Sequence, residues 1–398
     1  MQYRKMGDSD LEVSAIGFGA WEVGGQYGSF DEQEFVAAVQ RALDLGVTLF
    51  DTALGYGAGK SEALLGRALG GRRDEAIVVT KGGLSTRPDS KRPTDGRYAS
   101  LMQDIDDSLR ALGLDHVDLY LQHWPDKDTP IEESMRALSE IQQAGKARFI
   151  GVSNYHPDDL RTARRYAPIV TNQVGYNLFD RRWECQMFPT ARELGIGIMA
   201  YGPMAHGLLT GAFTRQTTFE DNDWRRRGLV FGQALFTADN FPTNIGIVED
   251  LAAIARELGT GLAPLAIAWV LRDPLVAVAL SGTRRPQEIE ENVKALEVVL
   301  SPATLERIDR CLARAAGQTD WLPVPDWRWG PPGLACEAYL SLGRDEDLQV
   351  RLGLAIQRQQ PMLERLVKRD AVTHDGLGPD SAVMEQAQRP GEVLVVHV

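Results

Sequence analysis

Four residues of this chain have side chains that can act together on one proton: Asp51, Tyr56, Lys81 and His123. Asp51, Lys81 and His123 each follow a short apolar run of the kind that forms a buried strand. A carbonyl group that is being reduced develops negative charge on its oxygen and must receive a proton. A phenol assisted by an ammonium, a carboxylate and an imidazole can supply that proton, so these residue types point to carbonyl reduction.

Each member of this group has an expected role. Tyr56 is the general acid, although the ordinary pKa of a phenol, about 10, makes it a reluctant donor at neutral pH. Lys81 is expected to lower that pKa through its positive charge, and Asp51 to hold Lys81 in place. His123 would donate a hydrogen bond that orients the carbonyl. Any one of these residues alone is better explained as a helix cap, a packed ring or a surface group, so the hypothesis depends on all four lying together.

The elements that must position these residues form a repeating pattern. Eight apolar runs predict strands, at residues 15–18, 48–50, 77–80, 117–122, 147–151, 169–173, 196–200 and 276–280. Amphipathic patterns that alternate with them predict helices, at residues 32–45, 61–69, 98–112, 130–144, 158–166, 182–194, 264–272 and 287–295. Strands joined through helices pair in parallel, and eight such units predict an α/β protein with a closed (β/α)8 TIM barrel.

In such a barrel the C-terminal ends of the strands share one rim, so Asp51, Lys81 and His123 are expected on the same side. The alternative fold is a doubly wound open sheet, which normally has a G-x-G-x-x-G turn after its first strand. The glycines of I-G-F-G-A-W-E-V-G-G at residues 16–25 have another spacing. The barrel is therefore the preferred fold.

Two segments depart from the alternating pattern. Residues 1–13 contain two extended runs around a turn and predict an N-terminal β-hairpin that could close the lower end of the barrel. Residues 204–243 form a long irregular stretch after the seventh strand, which is typical of a lid. The basic run at residues 224–227 could cover an anionic ligand or form a solvated turn, and both interpretations stay open.

Residues 1–315 are expected to form the barrel, with a last helix at 302–314, and residues 316–398 a C-terminal extension of different character. The extension contains Trp321, Trp327 and Trp329 among several prolines. These tryptophans could close the site or pack on the barrel wall. An apolar pattern at residues 348–366 predicts a helix that could form a subunit contact or dock on the barrel.

Polar residues at the ends of the next three strands suit a nicotinamide cofactor. Ser153 and Asn154 follow the fifth strand and Gln173 ends the sixth, where the amides can pair with the donor and acceptor of a carboxamide. Tyr201 follows the seventh strand, where its ring could stack on the nicotinamide. The cofactor and the proton donor would therefore share one rim.

Residues 281–292, S-G-T-R-R-P-Q-E-I-E-E-N, join the eighth strand to its helix. Gly282 and the start of that helix offer a site for phosphate. Arg284 and Arg285 supply local positive charge in an otherwise acidic chain. Arginine is well shaped for the 2′-phosphate of NADP, so NADP is favoured over NAD. Solvated arginines at a capped helix remain the alternative, more so for Arg285 than for Arg284.

Taken in order along the chain, these motifs resemble the aldo-keto reductase family. The likeness is carried by F-D-T-A at 50–53 with Tyr56, T-K-G at 80–82, L-Q-H at 121–123, G-V-S-N at 151–154, N-Q at 172–173 and residues 282–292. It covers roughly residues 1–315. H-W-P-D and G-L-L-T-G, with the long loop after them, are similar to the bacterial branch related to potassium-channel β subunits.

The resemblance implies an NADP(H)-dependent oxidoreductase that transfers hydride, with Asp51, Tyr56, Lys81 and His123 as its catalytic tetrad. It also implies a set of cofactor contacts at Ser153, Asn154, Gln173, Tyr201, Gly202, Leu208, Gly211, Gly282, Arg284, Glu288, Glu291 and Asn292. The C-terminal extension does not match the usual ending of the family, which leaves the substrate and the oligomeric state open.

Composition narrows the possible partners. The 398 residues carry a net charge of -12, which argues against wholesale nucleic-acid binding. There is no apolar run of membrane-spanning length and no signal peptide at the start, so no membrane partner and a cytoplasmic location are expected. Cys185, Cys311 and Cys336 are few and far apart, which argues against a disulfide framework and suits a reducing compartment. The histidines and cysteines show no metal-ligand spacing.

The leading hypothesis is an aldehyde or ketone reductase acting on a small molecule, with homo-oligomers possible. Trp21, Tyr27 and Trp124 follow predicted strands and could wall a substrate pocket beside Tyr56. One alternative is a regulatory module that binds NADP(H) with little turnover. Another is a dedicated biosynthetic ketoreductase for a sugar or polyketide intermediate. The sequence does not separate these three.

Overall fold

The computed structural model describes residues 1–25, 27–84 and 93–318 of the chain. The strands, in chain order, are β1 (Tyr3–Lys5), β2 (Glu12–Ser14), β3 (Ile16–Gly19), β4 (Leu49–Asp51), β5 (Ile77–Gly82), β6 (Val117–Gln122), β7 (Ala147–Ser153), β8 (Thr171–Gly175), β9 (Gly197–Tyr201) and β10 (Val276–Gly282). Strands β3 to β10 pair in parallel, each with the next, and β10 returns to β3 to close the barrel. The predicted TIM barrel is confirmed.

The barrel strands form because their sequences are apolar almost without interruption. A strand that faces side chains in the barrel interior and helices outside is buried on both faces, so both sets of alternating side chains must be apolar. In β6, for example, every residue is buried. Polar residues in these strands occur at both ends. Asp118 and Arg148, near the N-terminal ends of β6 and β7, form an ion pair at 2.8 Å. Asp51, Lys81 and Ser153 lie at or near C-terminal ends, and that is where the candidate site lies.

Ten α-helices surround the barrel or follow it: α1 (Glu32–Asp44), α2 (Lys60–Leu69), α3 (Tyr98–Leu112), α4 (Ile131–Gln143), α5 (Pro157–Tyr166), α6 (Met187–Glu193), α7 (Phe241–Glu257), α8 (Leu262–Leu271), α9 (Pro286–Asn292) and α10 (Pro302–Leu312), counting only the described residues. All the helices predicted in this part of the chain are present. Helix α6 is shorter than predicted, because Arg182 and the residues after it form turns before Met187.

Helix α7 was missed by the sequence analysis. Its apolar residues Ile245, Ile247 and Val248 fall on more than one face, so no one-sided period marks it. Within the described ranges, no single helix combines the length and apolar character that a membrane crossing requires. The consecutive helices α7 and α8 meet that requirement only when taken together, and they are bent by 87°.

The predicted N-terminal hairpin is also present, and it closes the N-terminal end of the barrel. Strands β1 and β2 pair antiparallel. Met6, Leu11 and Val13 are buried in one apolar cluster with inward-facing side chains of the barrel strands. The turn requires glycine at Gly7, where φ is +58° and a Cβ atom would overlap the carbonyl oxygen of Gly195.

The long segment after β9 is connected to the chain that follows α10. The side chain of Asn244 in α7 bonds the backbone of Ala316 in both directions, each at 3.0 Å. The amide of Ala234 donates to the carbonyl oxygen of Gly317 at 2.7 Å. The proposed roles of Trp321, Trp327 and Trp329 and of the pattern at 348–366 lie outside the described residues.

Candidate active site

The four residues singled out for proton chemistry meet at the C-terminal rim. Lys81 Nζ donates to Asp51 Oδ1 at 2.6 Å, to the carbonyl oxygen of Thr52 at 2.9 Å and to the hydroxyl of Tyr56 at 3.2 Å. The rings of Tyr56 and His123 meet edge to face, with centroids 5.5 Å apart. The site therefore places a lysine, a phenol and an imidazole around one small volume.

Strand register explains this meeting. Asp51 ends β4 and pairs with Val79 of β5, two residues before Lys81. The amide of His123 continues the pairing of β5 and β6 by donating to the carbonyl oxygen of Gly82 at 2.9 Å. Tyr56 lies in the turn before α2, where its ring stacks on Trp21 with centroids 6.1 Å apart. The neighbouring strands β4, β5 and β6 thus bring Asp51, Lys81 and His123 to the same level of the barrel.

Lys81 and Asp51 form a buried ion pair. The side chain of Lys81 is 0% exposed and that of Asp51 is 6% exposed. Burial raises the pKa of Asp51 and lowers the pKa of Lys81, while the attraction between the two charges opposes both shifts. Asp51 also accepts a hydrogen bond from Gln173 on its second oxygen, at 2.7 Å. The carboxylate is thereby held from two sides.

Tyr56 and His123 are both held in their neutral forms. Burial raises the pKa of Tyr56 well above its ordinary value, and the negative charge of Asp51 adds to the rise. This direction is opposite to the lowering that we expected from Lys81, because removal from water is the largest cause and the charge of Asp51 acts in the same direction. Burial and Lys81 hold the pKa of His123 well below its ordinary value. A neutral His123 carries one N–H, and its Nδ1 has no hydrogen-bond partner among the described residues.

The amides expected to bind a carboxamide form a network of their own. Asn154 has φ of +60°, a left-handed conformation that asparagine tolerates better than most residues. Its Nδ2 donates to the carbonyl oxygen of His123 at 3.2 Å, and its Oδ1 accepts from the hydroxyl of Tyr201 at 2.9 Å. Ser153 Oγ donates to the carbonyl oxygen of Gln173 at 2.9 Å. Gln173 Nε2 also donates to Asp51, which connects this network to the carboxylate that holds Lys81. The sequence did not predict this connection.

A long cavity of about 840 Å³ extends from Tyr56 to the start of α9. Ten of the twelve residues expected to contact a cofactor line it, namely Ser153, Asn154, Gln173, Tyr201, Gly202, Gly282, Arg284, Glu288, Glu291 and Asn292. Leu208 and Gly211 do not, although their neighbours Gly207, Thr210 and Ala212 do. The cavity thus connects the tetrad with the segment after β10.

The far end of this cavity, at α9, carries polar side chains that face the cavity. Asn292 Nδ2 is buried with no hydrogen-bond partner in the part of the chain that the structure describes. The guanidinium of Arg284 donates to the carbonyl oxygens of Tyr27 and Ser29, at 3.3 and 3.2 Å, and forms no ion pair with a described residue. Arg285 instead forms the ion pair with Glu288 at 2.7 Å and caps α9. The side-chain amide of Asn292 and the guanidinium of Arg284 are thus available to a ligand at the end of the cavity opposite Tyr56, as far as the described residues are concerned.

Aromatic side chains form the other wall. Trp21, Tyr27 and Trp124, the expected pocket residues, all line the cavity. The long segment after β9 adds Phe231, whose ring centroid lies 6.0 Å from that of Trp124. We call Trp21, Tyr27, Trp124 and Phe231 the aromatic wall. Trp224 lies behind this wall and stacks on Trp21 with centroids 5.6 Å apart. The segment at 204–243 therefore forms part of the cavity wall.

In the basic run at 224–227, Arg225 and Arg226 have different surroundings: one faces the cavity and the other lies in a solvated turn. Arg225 is 12% exposed, pairs with Asp223 at 2.5 Å and lies 5.0 Å from the ring centroid of Tyr27. Arg226 is 60% exposed and pairs with Asp221 on the surface. Arg225 therefore faces the cavity with its charge already compensated, while Arg226 belongs to the solvated turn.

Several lining residues were not identified from the sequence: Glu22, Thr283, Gln287, His206 and Phe231. Glu22 could have been predicted from its position, because it directly follows Trp21 in the loop after β3 and so lies on the same rim. Gln287 and Thr283 belong to a segment already noted. His206 and Phe231 lie in an irregular segment without any period that would have assigned them a direction.

The barrel and its rim define a class: the chain belongs to the aldo-keto reductase family, which matches residues 15–313 under the description Aldo/keto reductase family. The Aldo-keto reductase YhdN of Bacillus subtilis (strain 168) is 37% identical over 294 residues, or 73% of this chain and 87% of the relative. The NADH-specific methylglyoxal reductase of Escherichia coli (strain K12) is 31% identical over 314 residues, or 75% of this chain and 94% of the relative.

Among solved structures, the glycerol dehydrogenase AKR11B4 from Gluconobacter oxydans matches with a TM-score of 0.71 and 33% identity, over 84% of this chain and 99% of that one. The family resemblance inferred from the motifs is thus confirmed. As a member of this family the protein is an oxidoreductase that acts on small-molecule carbonyl compounds with a nicotinamide cofactor.

Proposed function

We propose that the protein reduces an aldehyde or ketone to an alcohol at the expense of NADPH, with Tyr56 as the general acid. The observation that carries this proposal is the group of Lys81, Tyr56 and His123 at one end of a cavity of about 840 Å³ that continues to Arg284 and α9. The aromatic wall bounds the same end. A carbonyl compound in front of it would be within reach of both neutral donors.

When bound, the cofactor supplies a hydride to the carbonyl carbon, and the protein supplies the proton. The hydroxyl of Tyr56 gives its proton to the carbonyl oxygen as charge develops there. The ammonium of Lys81, 3.2 Å from that hydroxyl, then faces the phenolate and stabilises it. Asp51 keeps Lys81 charged and in place. The proton returns to Tyr56 from solvent when the alcohol leaves.

His123 has a distinct task in this proposal. As a neutral imidazole it donates one hydrogen bond to the carbonyl oxygen and adds no charge to the site. Ser153, Asn154 and Gln173 would hold the carboxamide of the nicotinamide, since their polar groups line the cavity beside Asp51. Arg284, Glu291 and Asn292 would hold the opposite end.

The preference for NADPH rests on Arg284. Its guanidinium lines the cavity and forms no ion pair with a described residue, so its charge is available to a phosphate. One relative carries the name of an NADH-specific reductase, so membership of the family does not itself fix the cofactor. The choice must be tested on this chain.

We expect Arg284→Ala to raise the dissociation constant for NADPH by about 10- to 100-fold, because a hydrogen-bonded charge pair is lost. The dissociation constant for NADH should change less than about threefold. Titration of protein fluorescence with each cofactor measures both. Arg285→Ala is the matched control, since Arg285 is already paired with Glu288. Equal weakening of both cofactors by Arg284→Ala would remove Arg284 from the 2′-phosphate site.

We also expect the aromatic wall to favour flat, apolar carbonyl compounds. Phe231→Ala should raise KM for benzaldehyde-type substrates by about tenfold, because a ring that lines the cavity beside Trp124 is removed. KM for methylglyoxal, which is too small to span the wall, should change little. Tyr166→Ala is the control, since that ring is 49% exposed on the surface. A uniform rise for both substrates would mean that Phe231 supports the fold of the segment and does not contact substrate.

The direct test of the proposed function is oxidation of NADPH in the presence of a panel of aldehydes and ketones. Turnover that the Tyr56→Phe protein lacks would support it. Tight NADPH binding without turnover on any member of the panel would contradict it.

A further inference from the structure

Glu22 has a position in this cavity that the proposed chemistry does not use. It lies in the short 3-10 helix Trp21–Gly24, directly after β3, and lines the cavity between Tyr56 and Arg284. Its carboxylate lies against the backbone of Gly282, so that a Cβ atom at Gly282 would overlap it. Its Oε2 is buried and has no hydrogen-bond partner among the residues described. A carboxyl group therefore faces the passage between the two ends of the cavity.

The charges around Glu22 come from three elements. Arg284 and Glu288 approach from the segment after β10 and from α9, and Arg225 from the long segment after β9, while Tyr27 lies on its own loop. The hydroxyl of Tyr56 faces it from the turn after β4.

Neither arginine makes a direct bond to Glu22. The guanidinium of Arg284 donates to backbone carbonyl oxygens, and that of Arg225 to Asp223. Glu288 adds a further negative charge nearby. An ionised Glu22 would therefore be a poorly compensated anion inside the cavity.

We propose that Glu22 must carry a proton when the anionic dinucleotide fills this cavity, so that cofactor binding takes up one proton from solvent. This inference rests on the proposed cofactor and concerns regulation of the same site. The physical reason is repulsion: a diphosphate in this cavity would add negative charge near the carboxylate, while the guanidinium groups of Arg284 and Arg225 bond to other partners. A protonated carboxyl instead offers an O–H that can donate to a phosphate oxygen.

Glu22 of the free protein changes its protonation state near neutral pH, so the uptake of a proton on cofactor binding can be measured there. Burial raises the pKa of Glu22 to about 7, with the two arginines opposing the rise and Glu288 adding to it. Below that value Glu22 is already protonated and binding needs no further proton. Above it the free protein has lost the proton and must regain it on binding, so affinity falls by about tenfold per pH unit.

The test is calorimetry of NADPH binding to the full chain at pH 6 and pH 8, in buffers with different enthalpies of ionisation. The slope of the binding enthalpy against the buffer enthalpy counts the protons taken up. We expect close to one proton at pH 8 and close to none from Glu22 at pH 6. The 2′-phosphate titrates near the lower pH, so NADH is measured in parallel as a cofactor without that group.

Glu22→Gln gives the second arm. Glutamine has the same shape and no charge, so this variant should take up no proton at pH 8. Its affinity should vary less than about twofold between pH 7.5 and 8.5, where the unaltered protein weakens about tenfold. Glu297→Gln, at an exposed position outside the cavity, is the control and should behave as the unaltered protein.

The outcomes separate the two proposals. Equal proton uptake and equal pH dependence in the unaltered protein and in Glu22→Gln would overturn the role of Glu22 and leave the cofactor assignment intact. Absence of a buffer effect in the unaltered protein at pH 8 would also overturn it, even if Glu22→Gln failed to fold. Absence of binding by either protein at any pH would overturn the proposed function and this inference with it.

Discussion

Tyr56→Phe should lower kcat for carbonyl reduction by about 10²- to 10⁴-fold, while the dissociation constant for NADPH changes less than about twofold. The reason is that the substitution removes one oxygen and leaves the ring. That ring packs under Trp21 and against His123, so the walls of the cavity keep their shape. A hydroxyl that acts only on the developing oxyanion contributes to kcat and little to cofactor affinity.

Single-turnover measurements with bound NADPH are the appropriate readout, because they separate the chemical step from release of products. Tyr27→Phe is the matched control. It also removes a hydroxyl from the cavity, 3.5 Å from His206 Nδ1, but one that does not contact Lys81. A comparable loss of NADPH affinity in Tyr56→Phe would show that its hydroxyl organises the site and does not act as the acid.

Lys81→Met should damage both activity and stability. Without the ammonium, the phenolate formed at Tyr56 has no counter-charge, so kcat should fall by about 10²- to 10⁴-fold. The carboxylate of Asp51, 6% exposed, would also lose its partner. An unpaired buried charge costs about 3–5 kcal/mol in the free energy of unfolding. Chemical denaturation measures that loss, and NADPH oxidation measures the loss of rate.

A double variant, Asp51→Asn with Lys81→Met, tests the cause of the instability. It removes both charges and keeps an acceptor oxygen for Gln173, so most of the lost stability should return while activity stays lost. If the double variant is as unstable as Lys81→Met, the loss in the free energy of unfolding comes from packing around the aliphatic part of Lys81 and not from the unpaired carboxylate of Asp51.

Much of this fold could be predicted because its signals are local. The apolar runs that become barrel strands are short and nearly unbroken, and polar residues mark their ends. Asp51, Lys81 and His123 could be placed on one rim because parallel strands bring their C-terminal ends to the same side. Helix α7 was missed because its apolar residues follow no one-sided period.

The unpredicted parts of the site depend on contacts between distant segments. The bond from Gln173 to Asp51 joins two strands that are not neighbours in the barrel, and no local pattern encodes it. Trp224 and Phe231 lie in an irregular segment, so their direction is set by the rings they meet. The pKa of Tyr56 rises chiefly because the ring is buried, and the degree of burial is set by contacts that the sequence does not reveal.

One feature of the barrel bears on how activity is acquired during synthesis or refolding. Every barrel strand contributes to the cavity lining at or just after its C-terminal end, through Trp21, Asp51, Leu84, His123, Ser153, Gln173, Tyr201 and Gly282. The ring of strands closes only when β10 pairs with β3, which joins Leu280 to Gly17. The cavity is therefore complete only when the ring of strands is closed. We expect a chain that lacks the pairing of β10 with β3 to show no turnover, so the return of turnover during refolding would report closure of the whole ring.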